Sequence, residues 1–221
     1  MEKKLINKIT YGFPSRENGQ YLDDATIYDK YYSNFTNTPF FPNDSAETYK
    51  ELLVISQSLS EKKDKKTDIY IDRSFHEYIK KQCKKQGVHI EIETITKIIM
   101  QVAPICMRLK VHYQRPRPFQ LGLYANVPLF PFASLPAQAP AYPSGHACQS
   151  RYLALCLSAL IPDKSDFFIK LSNYIADSRV YIGVHFPSDN TFGQGIAEFL
   201  FQQPETHSFL NSIAEEIKVD N

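Results

Sequence analysis

The chain has 221 residues, of which 25 are Lys or Arg and 24 are Asp or Glu; a formal charge of +1 carries no global field of the kind that marks a nucleic-acid or polyanion binder. Any anion it holds must be met by a local cluster, and no window approaches the ~20 uninterrupted apolar residues that cross a bilayer. Cys83, Cys106, Cys148 and Cys156 show neither C-x-x-C spacing nor histidine pairing, so reduced, mostly buried thiols are expected rather than a zinc site.

The length suits one domain, 1–221, with a sizeable core. The opening MEKKLINKIT lacks the apolar run and small-residue cleavage site of a signal peptide. The expected compartment is therefore the cytoplasm, or the periplasm or exterior if a leader was removed before this numbering. Residues 1–43 read as an irregular arm on the body, with Gly12, Pro14, Gly19, Pro39 and Pro42 among many Tyr and Asn. Asp44 and Ser45 offer an N-cap, and Ala46, Tyr49, Leu52, Leu53 and Ile55 continue with helical spacing. Residues 58–68 are a charged linker, and 68–86 form the next predicted helix, with Gly87 placed as its C′ glycine. The longest predicted helix spans 91–113, with Ile92, Ile95, Ile99, Val102, Cys106 and Leu109 on an apolar face and a kink at Pro104. Prolines recur from Pro116 to Pro143 and exclude regular structure over most of that span, so 119–142 is expected to be a functional loop or lid. Further helices are predicted at 145–160, 163–181, 189–202 and 206–219, with no hairpin and no internal repeat. The fold class is all-α, a helical bundle with one long proline-rich active-site loop.

Three segments carry chemistry: Lys110 followed by Arg117-Pro118, the run Pro143-Ser144-Gly145-His146, and Ser178-Arg179 followed by His185 and Asp189. A phosphoryl group in transfer spreads negative charge over its equatorial oxygens, and the protein's task is positioning and charge stabilisation. Lys110, Arg117 and Arg179 are cations for those oxygens, with Arg117 expected at the rim between its flanking prolines. Ser144 and Gly145 open a helix whose N–H groups favour an anion, and Gly145 permits close approach of the backbone. Two histidines then need different roles. Asp189, four residues after His185, is spaced to accept its ring N–H and fix the tautomer, which makes His185 the nucleophile and His146 the general acid. Singly these pieces are ordinary, since Ser144, Ser188 or Asp189 could each be a helix cap. Together they fix eleven positions, each met at roughly 5 per cent frequency, so their joint occurrence in order is not chance.

These segments resemble the signature of the type 2 phosphatidic acid phosphatase and vanadium haloperoxidase superfamily, most closely its soluble class A bacterial acid phosphatases. The resemblance spans 110–189. It implies an α-helical core holding the phosphate site, and metal-free hydrolysis of phosphomonoesters through a phosphohistidine on His185, with phosphotransfer to an alcohol as a further outcome. No cofactor is implied, save vanadate if the chain is a haloperoxidase. The alternatives are that haloperoxidase, a lipid-phosphate phosphatase acting at a membrane surface, and a phosphate- or phospholipid-binding module without turnover. The expected partner is a phosphorylated small molecule, with no nucleic acid and no transmembrane segment, and the oligomeric state is open. The apolar loop 121–136 either holds a leaving group, touches a membrane surface, or folds over the bundle to cover core. His76, His89, His112 and His207 lack partners at metal-ligand spacing and read as surface or packing residues.

Overall fold

The computed structural model describes residues 6–12, 21–61 and 65–220. Its helices are α1 (Ala46–Ser60), α2 (Lys66–Arg73), α3 (Phe75–Lys84), α4 (Ile92–Ile99), α5 (Ala103–Tyr113), α6 (Pro118–Gly122), α7 (Gly145–Leu160), α8 (Ser165–Tyr181), α9 (Pro187–Phe201) and α10 (Glu205–Ile213). Short 3-10 turns cover Asp29–Phe35, Pro162–Lys164 and Ala214–Glu216. The fold is all-α, apart from one two-stranded antiparallel pairing of Val88–His89 with Lys218–Val219.

Helix α7 is the hub, packing against α4, α5, α8 and α9. Its buried residues, among them Ala147, Cys148, Tyr152, Leu153, Cys156 and Leu157, fall on more than one face, the mark of an interior helix. Gly193 lets α9 come close to it: a Cβ there would lie 2.6 Å from the Ser144 carbonyl oxygen. Around α7 the main core gathers residues such as Ile79, Ile98, Ile105, Phe168, Ile175 and Leu200. Tyr28 is buried within it, its hydroxyl bonded to those of Tyr152 at 2.5 Å and Thr206 at 2.7 Å.

Several predicted boundaries are corrected. The single helix expected over 91–113 is two, because the chain turns at Met100–Val102 and Pro104 sits in the first turn of α5. There its missing N–H would have had no helical partner, so it starts a helix instead of kinking one. The helix expected over 68–86 breaks at Ser74 into α2 and α3, and Gly87 takes a left-handed φ of +68° two residues past the C-cap. The last helix stops at Ile213, and its expected continuation is a 3-10 turn and a strand that pairs with Val88–His89. Within the proline-rich span Pro118–Gly122 is a short helix begun by Pro118, and residues 123–144 have no helix or strand. Pro14, Gly19 and part of the charged linker, residues 62–64, lie outside the described residues. Asp29–Phe35 in the N-terminal segment is a 3-10 turn.

Residues 123–144 divide their apolar side chains between core and solvent. Val127, Leu129 and Ala141 join a second buried cluster with Leu52, Ile55, Leu121, Val180 and Phe186, so part of the loop covers core. Leu123, Tyr124, Phe130 and Leu135 instead face outward, Phe130 at 84% exposure.

Candidate active site

The three sequence segments meet because α5, α7 and the α8–α9 junction converge beneath the proline-rich loop. The junction is built by a helix stop. After α8, Gly183 adopts a φ of +81°, its N–H reaches the Val180 carbonyl at 2.9 Å, and the N–H of Val184 reaches that of Arg179 at 3.1 Å. This paired closure of a helix C-terminus requires a left-handed residue at Gly183. It reverses the chain so that His185 returns beside Arg179.

His185 is buried. Its Nδ1 lies 3.1 Å from Asp189 Oδ2, and its Nε2 lies 2.9 Å from Arg117 Nη1. A guanidinium only donates, so Nε2 accepts, the ring proton sits on Nδ1, and Nδ1–H donates to the carboxylate. Asp189 caps α9 with the same oxygen, accepting the Phe186 N–H at 2.8 Å. The two readings that its position allowed, orienting His185 and capping the next helix, therefore hold together.

Arg117 is not at the rim as expected but fully buried, with two of its N–H groups taken by carbonyls and one by His185. Nε donates to Ala139 O and Nη1 to Val184 O, each at 2.7 Å, while Nη2 has no partner among the described residues. Arg179, also buried, gives Nη2 to Asp72 Oδ1 at 2.6 Å, while its Nε and Nη1 have no partner among the described residues. Lys110 extends its ammonium to the Pro140 carbonyl at 2.7 Å. Buried guanidinium N–H groups without partners are costly, and an oxyanion is the ligand that would satisfy them.

Lys110, Gly145, His146, Arg179 and His185 line one cavity of about 430 Å³, a size suited to a small molecule. Its remaining wall is mixed, with Phe75, Ile99, Met100 and Met107 and Leu135 and Pro136 of the loop beside the polar Asp72, Arg73, Thr96 and Gln149. His76, expected to be a surface or packing residue, also reaches this wall. His146, in the first turn of α7, is half-buried with its ring 4.7 Å from that of Phe75. Ser144 caps α7 by accepting the Ala147 N–H at 3.4 Å and gives its own N–H to the Asp189 carbonyl at 2.9 Å. The first-turn N–H groups left for an anion are thus those of Gly145 and His146. A Cβ on Gly145 would meet only Lys110 Cε at 3.9 Å, an ordinary contact, so the backbone there is not tightly approached by protein. His112 bonds the Thr36 carbonyl at 3.1 Å and takes no part.

Burial and crowded positive charge set the protonation of the site. Burial first, then Arg117, Lys110, Arg179 and Arg115, holds His185 well below the ordinary imidazole value. His146 is lowered likewise, by burial and then by Arg179, His185, Lys110 and Arg117. Lys110 is pulled well below its usual range by burial and Arg117, and Arg117 is lowered to about 10, which leaves it cationic near neutrality. Among the described residues no group of three or more His, Cys, Asp or Glu is arranged to hold a metal ion. All four cysteines are free and buried, and burial raises the Cys148 thiol well above its usual value, which leaves it poorly nucleophilic.

The sequence model of the PAP2 superfamily matches residues 91–202, just over half the chain and every residue singled out above from the motifs. The chain belongs to the PAP2 superfamily. That superfamily covers phosphatases and haloperoxidases. No curated protein matches the chain. Three groups that complete this buried cluster escaped sequence reasoning. Asp72 on α2 and Glu51 on α1 both precede the matched region, and nothing local to them points to a distant arginine. Arg115 was legible only as the first arginine of the Arg-Pro-Arg-Pro run. It is fully buried and donates to Asp189 Oδ1 at 2.6 Å, to Ser188 Oγ at 2.8 Å and to Glu51 at 3.2 Å.

Proposed function

We propose that this PAP2 protein hydrolyses phosphomonoesters without a metal ion, through a phosphohistidine on His185. The observation that carries this reading is the geometry of His185, which itself lines the cavity: its Nδ1–H is held by Asp189, and its Nε2 lone pair accepts from Arg117. Arg117, Arg179, Lys110 and the N–H groups of Gly145 and His146 receive the phosphoryl oxygens. Arg117 Nη1 exchanges His185 for a phosphoryl oxygen, and the freed Nε2 attacks phosphorus as the ester P–O bond breaks. The imidazolium of His146 gives its proton to the departing alkoxide. Burial, and after it the neighbouring cations, keep His146 neutral; a phosphate dianion offsets the cations and so favours its protonation. Water then attacks the phosphohistidine, His146 takes the water's proton, and phosphate leaves with both rings restored.

The test is hydrolysis of an aryl phosphate with chelator in excess, followed by alkaline quench, which preserves a phosphoramidate. Phosphate should be recovered on a peptide containing His185. His185→Ala should lose both adduct and turnover, whereas His146→Ala should fail on alkyl phosphates yet still be labelled by an aryl phosphate, whose leaving group needs no proton. Labelling of His185→Ala but not of His146→Ala would reverse the two roles.

One observation favours a second reading, a lipid phosphate met at a membrane surface. Leu135 lines the cavity and is itself 73% exposed, close in sequence to the outward-facing Phe130. Parallel assays on an aryl phosphate and on vesicles containing a phosphatidic acid distinguish the two.

A further inference from the structure

We propose that Arg115 and Glu51 are positioning residues for the pair His185 and Asp189, Arg115 by gripping the Asp189 carboxylate and Glu51 by gripping Arg115, a role that rests on His185 acting as nucleophile. The two oxygens of Asp189 face different partners. Oδ2 accepts His185 Nδ1–H and the Phe186 N–H, while Oδ1 accepts Arg115 Nη1–H at 2.6 Å, with both side chains of that pair fully buried. Arg115 is fixed on its other sides as well. Its guanidinium carbon lies 4.0 Å from the centre of the Phe186 ring and 5.1 Å from that of Phe40, and its backbone carbonyl accepts the Ala141 N–H. Glu51 closes the chain of groups. One oxygen accepts the Ser188 N–H at 2.6 Å, and the other accepts Ser188 Oγ at 2.9 Å and Arg115 Nη2 at 3.2 Å. A helix outside the region matched by the superfamily, α1, is thereby bonded to Ser188 in the first turn of α9, three residues after His185.

The consequence is both geometric and electrostatic. A carboxylate held on one oxygen cannot rotate away from the imidazole, so the tautomer with its lone pair on Nε2 persists. A cation on the far oxygen also weakens the carboxylate's pull on an imidazolium, which favours the neutral ring that attack requires. The charged and titratable groups facing His185 are Arg117, Lys110, Arg179, Arg115, Asp189 and His146; those facing Arg115 are Asp189 and Glu51. Removing Arg115 therefore favours protonated His185, and removing the charge of Glu51 strengthens Arg115 and disfavours it.

The experiment uses the full chain as Arg115→Met, Arg115→Lys and Glu51→Gln. It reads the pH dependence of kcat/KM on an aryl phosphate and the NMR titration of the His185 ring, assigned by its loss in His185→Gln. Arg115→Met should move the acid limb and the ring titration up by about one pH unit. Arg115→Lys, which keeps the charge, should return most of that shift, and Glu51→Gln should move both to lower pH. A purely structural role lowers activity without opposed shifts. Titrations coincident with wild type in Arg115→Met and Glu51→Gln, or shifts of the same sign, would overturn the assignment. If Arg115→Met does not fold, Glu51→Gln decides alone, a downward shift supporting the role and no shift refuting it. A wild type without turnover would defeat the phosphatase reading through the assay, while unmoved titrations in an active enzyme would defeat only this one.

Discussion

Asp72→Asn isolates what Arg179 is for. In the folded protein the two side chains are 1% and 4% exposed and meet at 2.6 Å, and Asp72 also accepts a hydrogen bond from Ser134 of the loop at 2.6 Å. Asparagine keeps the volume and one acceptor oxygen but removes the charge, so Arg179 is left buried without its counter-ion. Breaking such a pair costs about 3 kcal/mol, the lower end of the usual range because a neutral hydrogen bond survives. With a urea slope of about 2 kcal/mol per molar, the unfolding midpoint should fall by about 1.5 M. Inorganic phosphate supplies the missing charge. It should bind the variant more tightly than wild type, since Arg179 is no longer shared with Asp72, and a tenfold gain in affinity would recover about 1.4 kcal/mol of the deficit at saturating phosphate. Urea unfolding followed by far-ultraviolet circular dichroism, with and without phosphate at matched ionic strength, measures both effects. Equal midpoints without phosphate, or equal stabilisation of both proteins by phosphate, would refute the placing of Arg179 as an oxyanion ligand balanced by Asp72.

Two further outcomes are expected. Because His185 is held below its unfolded value of about 6.5, the unfolded chain takes the proton first as pH falls; stability is therefore complete above that value and declines below it by up to about 1.4 kcal/mol per pH unit, a slope that should flatten in His185→Gln. His146 and His76 are lowered too and add to the same decline; a His185→Gln slope equal to wild type would contradict the buried, neutral ring. Gly193→Ala should destabilise by about 1–3 kcal/mol, because its Cβ would meet the Ser144 carbonyl oxygen at 2.6 Å, whereas Gly145→Ala, whose Cβ would make only an ordinary contact with Lys110 on a helical backbone, should fold at least as stably as wild type. Thermal melts of the two variants distinguish close helix packing at Gly193 from any such demand at Gly145.

The helical class was legible in the sequence because helix signals are local, and the cations and histidines could be named from the motif spacing within each segment. Start signals placed the first residues of α1 after Ser45 and of α7 after Ser144, although α1 runs on to Ser60 into the expected linker, and the four-residue step from His185 to Asp189 forecast the observed bond. Where two local rules competed, the sequence could not decide. Pro104 fits a kink or a helix start equally well, and only the packing of α4 and α5 as separate elements selected the second. The depth of Arg117 was likewise beyond local reading, because flanking prolines suggest a rim while burial depends on carbonyls from Ala139 and Val184 that arrive from distant parts of the chain. The same holds for Asp72, Glu51 and Arg115. Each completes the charge balance of a buried site through contacts spanning dozens of residues, and a long-range ion pair leaves no periodicity in sequence. Residue spacing thus marked the candidate charged and titratable groups, and tertiary packing decided which of those charges are balanced and which guanidinium nitrogens have no partner among the described residues.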